Sequence, residues 1–363
     1  MKLQASTYTA RDEALALEEF HARGWTDGLP VVIPTQERVE SLLIAGGQDP
    51  DIVLGSIGPA NGEATVEKVA INAVMAGCLP EHFPVVLAAV RAVCDEQMDI
   101  GEMQATTHSL GPAIIVNGPA REACGPIASG WGALGPGHRA NASIGRALRL
   151  ALINIGGGRP GLSDMAVLGQ PGKFTMCLAE AEEDSPFAPL HVQHGFGREE
   201  SAVTLVGVET PHSVIAVTEA DDPEAPERLL RVLAASIANA GSNNTYFGRG
   251  AVLVIVNPLH AAVLAGAGMT REDVCRRLAE LAVTPKGTLG QFAPMRPYRP
   301  DEADELQPAL RGPEDIVLVV AGGEGIYSAV CNSWGAGRYG GVPVSRGIEM
   351  EFACELPGVA AAE

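Results

Sequence analysis

Long apolar runs are missing from this sequence. No stretch reaches the roughly 18 charge-free apolar residues of a membrane span, so a helical anchor is not expected. The opening MKLQASTYTARDEALALEEF has no apolar signal core and turns acidic at once, so no export signal is expected either. Paired cysteines are also missing. The seven, Cys78, Cys94, Cys124, Cys177, Cys275, Cys331 and Cys354, are scattered with no CxxC pair. An odd, unclustered set in an unexported chain reads as free thiols, and the cytoplasm is the expected compartment. Positive charge is scarce, with 25 Lys and Arg against 44 Asp and Glu and a formal charge of −19. A surface this acidic repels phosphate backbones and anionic lipid heads, so neither nucleic acid nor a membrane is an expected partner.

Familiar site signatures are absent as well. There is no HExxH and no cysteine cluster for a metal. GGGRPG at 156–161 follows a predicted helix instead of opening one, so it reads as a helix stop. AGGEGIYSA at 321–329 follows a strand but lacks the lysine of a phosphate loop, and Ser328 has no nucleophile elbow around it.

What remains is the composition of a compact enzyme, 46% hydrophobic with 43 glycines in 363 residues. Single cores stop growing at roughly 250–300 residues, so two closely packed lobes are expected. The pattern is α/β with mixed sheets. A helix is expected within the first twenty residues, followed by the irregular GWTDGLPVVIPT at 24–35. Thr65 caps a helix to about Cys78, and Pro84 opens another to Cys94. AIIVN at 113–117 reads as a buried strand. A helix from Asn141 or Ser143 to about Ile155 stops at Gly156-Gly157-Gly158. Strands are expected at 174–178, 202–208 and 213–218, and a helix at 224–240. AVLVIVNP at 251–258 repeats the strand-Val-Asn-Pro character of PAIIVNGP at 112–119, and DIVLVVAGG at 315–323 ends in glycines likewise. Repeated strand–helix units of this kind suggest an internal duplication. They divide the chain into an N-terminal helix and arm (1–60), a first lobe (61–200) and a second lobe (201–363).

Ligands of open α/β sheets gather beyond the carboxyl ends of strands. Asn117, Asn257 and Gly322–Gly325 hold such ends, and the two asparagines are substrate-binding candidates, although asparagines there often only close Asx turns. His108 in QATTHS is the candidate acid–base group. Glu180, Glu182 and Glu183 crowd the end of the 174–178 strand with His191 and His194 soon after. Such a cluster either raises one carboxyl pKa, which makes Glu180 a catalytic candidate, or is a solvated acidic loop. Arg139, at the start of the glycine-terminated helix, suits a substrate carboxylate. Cys177 and Cys331 are the thiol candidates, and Arg338 is the basic residue nearest Cys331 in sequence.

With these residues in view, the chain resembles an uncharacterised bacterial family. Its members share GWTDGLP (24–30), an INAVMAGC-type helix (71–78), QATTH (104–108), IVNGP (115–119), and RANASIGRA running into NIGGGRPG (139–161). GQPGK (169–173), Cys177-Leu178-Ala179-Glu180, SPF-PLHV and GSNN (241–244) also fit, so the resemblance covers roughly 24–325. Related chains are often found near proteins with a Sec/Cys-Gly-Ser-Cys motif, which implies sulfur or reductive chemistry. Relatives tend to carry a Lys-His pair where this chain has Ile326 and Tyr327, so a changed activity is implied if that pair is catalytic. Asn243 of GSNN and Tyr327 complete the substrate-binding candidates.

Together these readings predict an enzyme that acts on a small carboxylated metabolite by acid–base or thiol chemistry of lyase or hydrolase type. No organic cofactor is expected, a divalent metal is left open, and a homo-oligomer is expected. Two other readings stand beside it, a non-catalytic or thiol-transfer subunit of a multi-protein reductase and a metal-dependent lyase or hydrolase.

Overall fold

A computed structural model describes residues 3–218, 222–292 and 299–350. Cys354 lies outside the described residues. Two short strands come first, β1 (Val53–Ile57) and β2 (Gly62–Thr65), paired antiparallel. The core strands follow: β3 (Gly111–Asn117), β4 (Cys177–Ala179), β5 (Ala202–Val208), β6 (His212–Ile215) and β7 (Val252–Val256). A peripheral antiparallel pair, β8 (Val283–Pro285) with β9 (Leu306–Pro308), precedes β10 (Ile316–Val320), β11 (Tyr327–Cys331) and β12 (Val344–Gly347).

Two four-stranded sheets hold the molecule together, in the orders β12-β5-β3-β4 and β10-β7-β11-β6. Each has one parallel pair, β3–β4 or β7–β10, and its central strand is antiparallel to β5 or β11 respectively. The outer strand is antiparallel in both sheets, β12 on β5 and β6 on β11. The fourth strands are exchanged. β6 follows β5 in sequence but joins the second sheet, and β12 follows β11 but joins the first. A boundary at residue 200 therefore runs through the first sheet.

Side-chain alternation sets the layers. On β3, Ala113 and Ile115 face the second sheet, where they share a buried cluster with Leu253, Ile255, Val317, Val319 and Cys331. Ile114 and Val116 face the other way, against the helices Val66–Met75, Phe83–Val93 and Arg139–Asn154. On β7, Val252, Val254 and Val256 meet the helices Ala225–Ile237, Pro258–Gly266 and Arg271–Leu281. The result is helix–sheet–sheet–helix, in which β3, β5, β7 and β10 bury both faces, which explains their apolar runs. No helix among the described residues is long and apolar enough to cross a membrane.

Local signals place most elements. Thr65 caps Val66–Met75 through Lys68 N, Asn257 caps Pro258–Gly266 through His260 N, and Thr270 with Asp273 forms a reciprocal capping box. Three expectations shift. The first helix covers only Glu13–Ala22, capped by Asp12, and residues 3–12 form an arm without regular structure. Helix Arg139–Asn154 starts earlier than expected because Asn141 turns inward: its amide bonds the backbone of Ala128 and the carbonyls of Ala133 and Cys177 instead of capping. The 174–178 strand contracts to Cys177–Ala179, since Pro171–Lys173 form a 3-10 turn and leave Phe174 exposed.

Candidate functional site

The segment before β3 and the residue after its antiparallel neighbour β5 meet at one edge. There His108 Nε2 lies 2.6 Å from Glu209 Oε1, and His108 Nδ1 lies 3.0 Å from the side-chain amide nitrogen of Asn243. That amide also donates to Trp334 O at 3.0 Å. An amide nitrogen has only protons to offer, so Nδ1 accepts and the ring proton sits on Nε2, donated to Glu209. Asn243 is held as the first residue of helix Asn243–Phe247, which Ser242 caps. The side chains of His108 and Glu209 are 19% and 35% exposed, so water and small solutes reach the pair.

The same edge continues through the turn Pro171–Lys173. Gln170 donates to Val208 O at 3.3 Å and accepts from Thr210 Oγ1 at 3.1 Å, next to Glu209. Lys173 Nζ stands 2.6 Å from Asp164 Oδ1, and Arg149 donates to Gln104 Oε1 at 3.2 Å and to the Lys173 carbonyl. Burial pulls the Lys173 ammonium below its ordinary pKa, with Asp164 opposing and Arg149 reinforcing the shift. Burial also lowers Arg149, to about 10, against the pull of Asp164. A side chain at Gly158 would collide with the Gln104 carboxamide, so the glycine run that stops the long helix also lets QATTH close on it. Lowered cationic groups paired with carboxylates in one part-exposed region are a functional-site signal.

The carboxyl end of β3 is built differently. Asn117 Nδ2 bridges Glu180 Oε2 at 2.6 Å and Glu182 Oε1 at 2.9 Å, and Gly118 N adds a 2.8 Å bond to Glu182. Arg271 reaches across from the second half of the chain to Glu180 and to the carbonyls of Leu318 and Ala188. Arg121 forks onto Glu183 at 2.7 and 2.8 Å and holds it well down, at about 2. Asn117, Glu180 and His191 are fully buried, so the acidic run is not a solvated loop at its first position. Among the described residues no group of three or more His, Cys, Asp or Glu side chains is placed to hold a metal ion.

At the matching end of the second sheet the groups are neutral. Asn257 donates to Gly325 O at 2.8 Å and Tyr327 O at 2.7 Å, so it closes the loop as well as capping the helix. Buried His260 has Nδ1 2.7 Å from Ser328 Oγ and Nε2 3.0 Å from Ala216 O, and burial lowers its pKa. The two sheets' ends adjoin, since Ala181 N donates to Val320 O at 2.8 Å and Gly322 N to Ser129 O at 2.7 Å.

The sequence candidates thus divide. His108 and Asn243 come together. Asn117 and Glu180 come together at the opposite end of β3, roughly 20 Å away at about 3.3 Å per residue. Arg139 is exposed and donates to Gly77 O at 3.1 and 3.3 Å. Its helix begins over Ala128, which also bonds Ala179 at the carboxyl end of β4, so Arg139 does not face His108. Tyr327 is exposed on β11. Cys177 and Cys331 are core residues, and burial pushes both thiols well above their ordinary pKa. Cys331 packs between the sheets, and nearby Glu209 raises it further, while Arg338 pairs with Glu96 instead of activating a thiolate. Glu209, Asp164 and Lys173 were not singled out from sequence. Lys173 closes the GQPGK segment and Asp164 lies three residues after NIGGGRPG, which was the available signal, and a lone Glu after a strand gave none.

No protein-family model matches the chain, and no curated protein or solved structure proves similar to it.

Proposed function

We propose that this protein is an enzyme acting on a small carboxylated metabolite by acid–base chemistry of lyase or hydrolase type, at the amino end of β3. The observation that carries the reading is the 2.6 Å carboxylate–imidazole pair of Glu209 and His108, part-exposed and fixed in one tautomer by Asn243. Glu209 is the proton-transfer group. Its Oε1 receives the His108 Nε2–H, and its second oxygen is left for a substrate or a water. His108 is a positioning residue, because both ring nitrogens are engaged. Thiol chemistry has no part in this reading, since neither candidate thiol is exposed or near a free cation. The enzyme works in the cytoplasm without an organic cofactor.

A panel of small hydroxy, unsaturated and esterified carboxylic acids, followed by proton NMR, tests this. Wild-type protein is expected to convert at least one, and Glu209→Gln to slow that conversion by about 10²-fold or more. Undiminished conversion by Glu209→Gln overturns the assignment.

A second reading has one observation in its favour. Leu162, Val167 and Leu168, in the loop around Asp164, are 80%, 74% and 93% exposed, a run of apolar surface that suits a protein partner or another copy of this chain. Under that reading the edge is a subunit contact of a larger assembly. Light scattering of wild type and Leu168→Asp distinguishes them, because only a contact through this loop makes the particle mass depend on the substitution.

A further inference from the structure

A cavity lies beneath the arm, residues 3–12, that precedes the first helix. It has a volume of about 970 Å³, at the upper end of the roughly 300–1,000 Å³ usual for small-molecule sites. Three separate segments supply its floor: Trp25 of GWTDGLP, Asn72 and Met75 of the INAVMAGC helix, and Asn154 and Arg159 of NIGGGRPG. Phe20 stands edge-on to Trp25, with ring centres 5.2 Å apart, so one wall is aromatic. The arm is the roof. Buried Glu67 accepts Gln4 N at 2.9 and 3.0 Å and Ala5 N at 2.8 Å, which ties the arm down by its backbone.

The carboxylates around this space are engaged. Glu67 is taken by the arm, Asp12 caps its helix through Leu15 N at 2.9 Å, and Glu13 is 3.2 Å from Arg38. Arg159, by contrast, has no carboxylate partner among the described residues. Its guanidinium makes only a 3.5 Å contact with Arg23 O and lies over Gly24, where a side chain would displace it. Asn154 donates to Trp25 O at 2.9 Å and Asn72 Oδ1 at 2.8 Å, which ties two segments of the floor together. An unpaired guanidinium calls for an anion, and the aromatic and aliphatic wall calls for an apolar body.

We propose that this cavity binds a small organic acid with an apolar body, whose carboxylate is held by Arg159. The arm releases from Glu67 to admit it and closes over it. The site stands apart from the His108–Glu209 edge and does not depend on that pair being catalytic.

Saturation-transfer NMR and calorimetry with 3-phenyllactate and 2-hydroxy-4-methylpentanoate test the proposal on the full chain. Both acids are expected to bind, while the methyl ester of 3-phenyllactate, which lacks the charge, and lactate, which lacks the apolar body, bind at least tenfold more weakly. Arg159→Gln should weaken 3-phenyllactate by roughly ten- to a hundredfold, the loss expected for a charge-assisted hydrogen bond. Glu67→Gln should speed association and dissociation by loosening the arm. Absence of binding by either acid in the millimolar range overturns the proposal. So does equal binding by wild type and by an Arg159→Gln protein whose melting temperature is unchanged, which shows that any folding defect is not the cause.

Discussion

At its carboxyl end β3 delivers Asn117 to Glu180, which is buried with Arg271, while Glu183 of the same run stays largely exposed. At its amino end His108 and Glu209 form a comparable carboxylate pair that remains part-exposed. Glu180 has its charge matched by Arg271 and accepts from Asn117 and Leu190 N, so nothing is left for a ligand to take. Glu209 has one partner on one oxygen. The rule that ligands collect beyond the carboxyl ends of strands presumes an open sheet whose ends face a crevice. Here the two sheets are stacked and their parallel ends abut through Ala181 and Val320, which seals that side and leaves the other edge accessible. Burial, more than saturation or residue type, separates the two ends, since Asn117 Oδ1, both ring nitrogens of His191 and Arg271 Nε are buried at the sealed end without a hydrogen-bond partner.

Substitutions at the two ends should therefore fail in different ways. The largest effect is expected for Arg271→Met. It leaves Glu180 buried without its counter-charge and should cost about 3–5 kcal/mol of stability in urea unfolding, with conversion per folded molecule preserved. Asn243→Ala removes the donors that fix His108 and bridge to Trp334, which should cost about 1–2 kcal/mol. It should also release the ring from its single tautomer, visible as a change in the His108 nitrogen shifts. Native alkylation should leave Cys177 and Cys331 unlabelled until denaturant is added, because burial suppresses the thiolate at both. The smallest effect is at Glu183. Arg121 holds its carboxyl at about 2 against an ordinary 4.5, so the pairing contributes above about 4.5 and is lost as the pH falls toward about 2. Glu183→Gln should flatten the acid limb of the stability profile within that window and lose the pairing's small, solvent-screened contribution near neutrality, so that variant and wild type converge only toward about pH 2.

Much of the layering was legible because it rests on local signals. The apolar runs at 113–117, 202–208, 251–258 and 315–323 contain strands buried on both faces, and the cap at Thr65 placed its helix. β11 and β12 were not legible. Tyr327, Ser328, Ser345 and Arg346 carry no strong strand signal, and these strands exist because β7 and β5 offer them an edge. The exchange of β6 and β12 between sheets is likewise a tertiary matter. For the site, sequence brought forward His108, Asn243, Asn117 and Glu180 but could not say which would be sealed. Cys331 reads as a loop thiol only if β11 is missed. Once the strand is in place, alternation turns Cys331 inward between the sheets, and its reactivity goes with it.

One paired measurement tests the contrast between the two ends of β3. Glu209→Gln and Glu180→Gln, carried through the same conversion assay and the same urea titration, should give opposite signatures. Glu209→Gln should lose about 10²-fold or more in conversion and stay within roughly 1 kcal/mol of wild-type stability. Glu180→Gln should be destabilised by several times that, as is usual for one partner of a buried ion pair, about 3–5 kcal/mol, while its folded fraction converts substrate at the wild-type rate. Full conversion by Glu209→Gln, or lost conversion in well-folded Glu180→Gln, would contradict the account and move the chemistry to the sealed end.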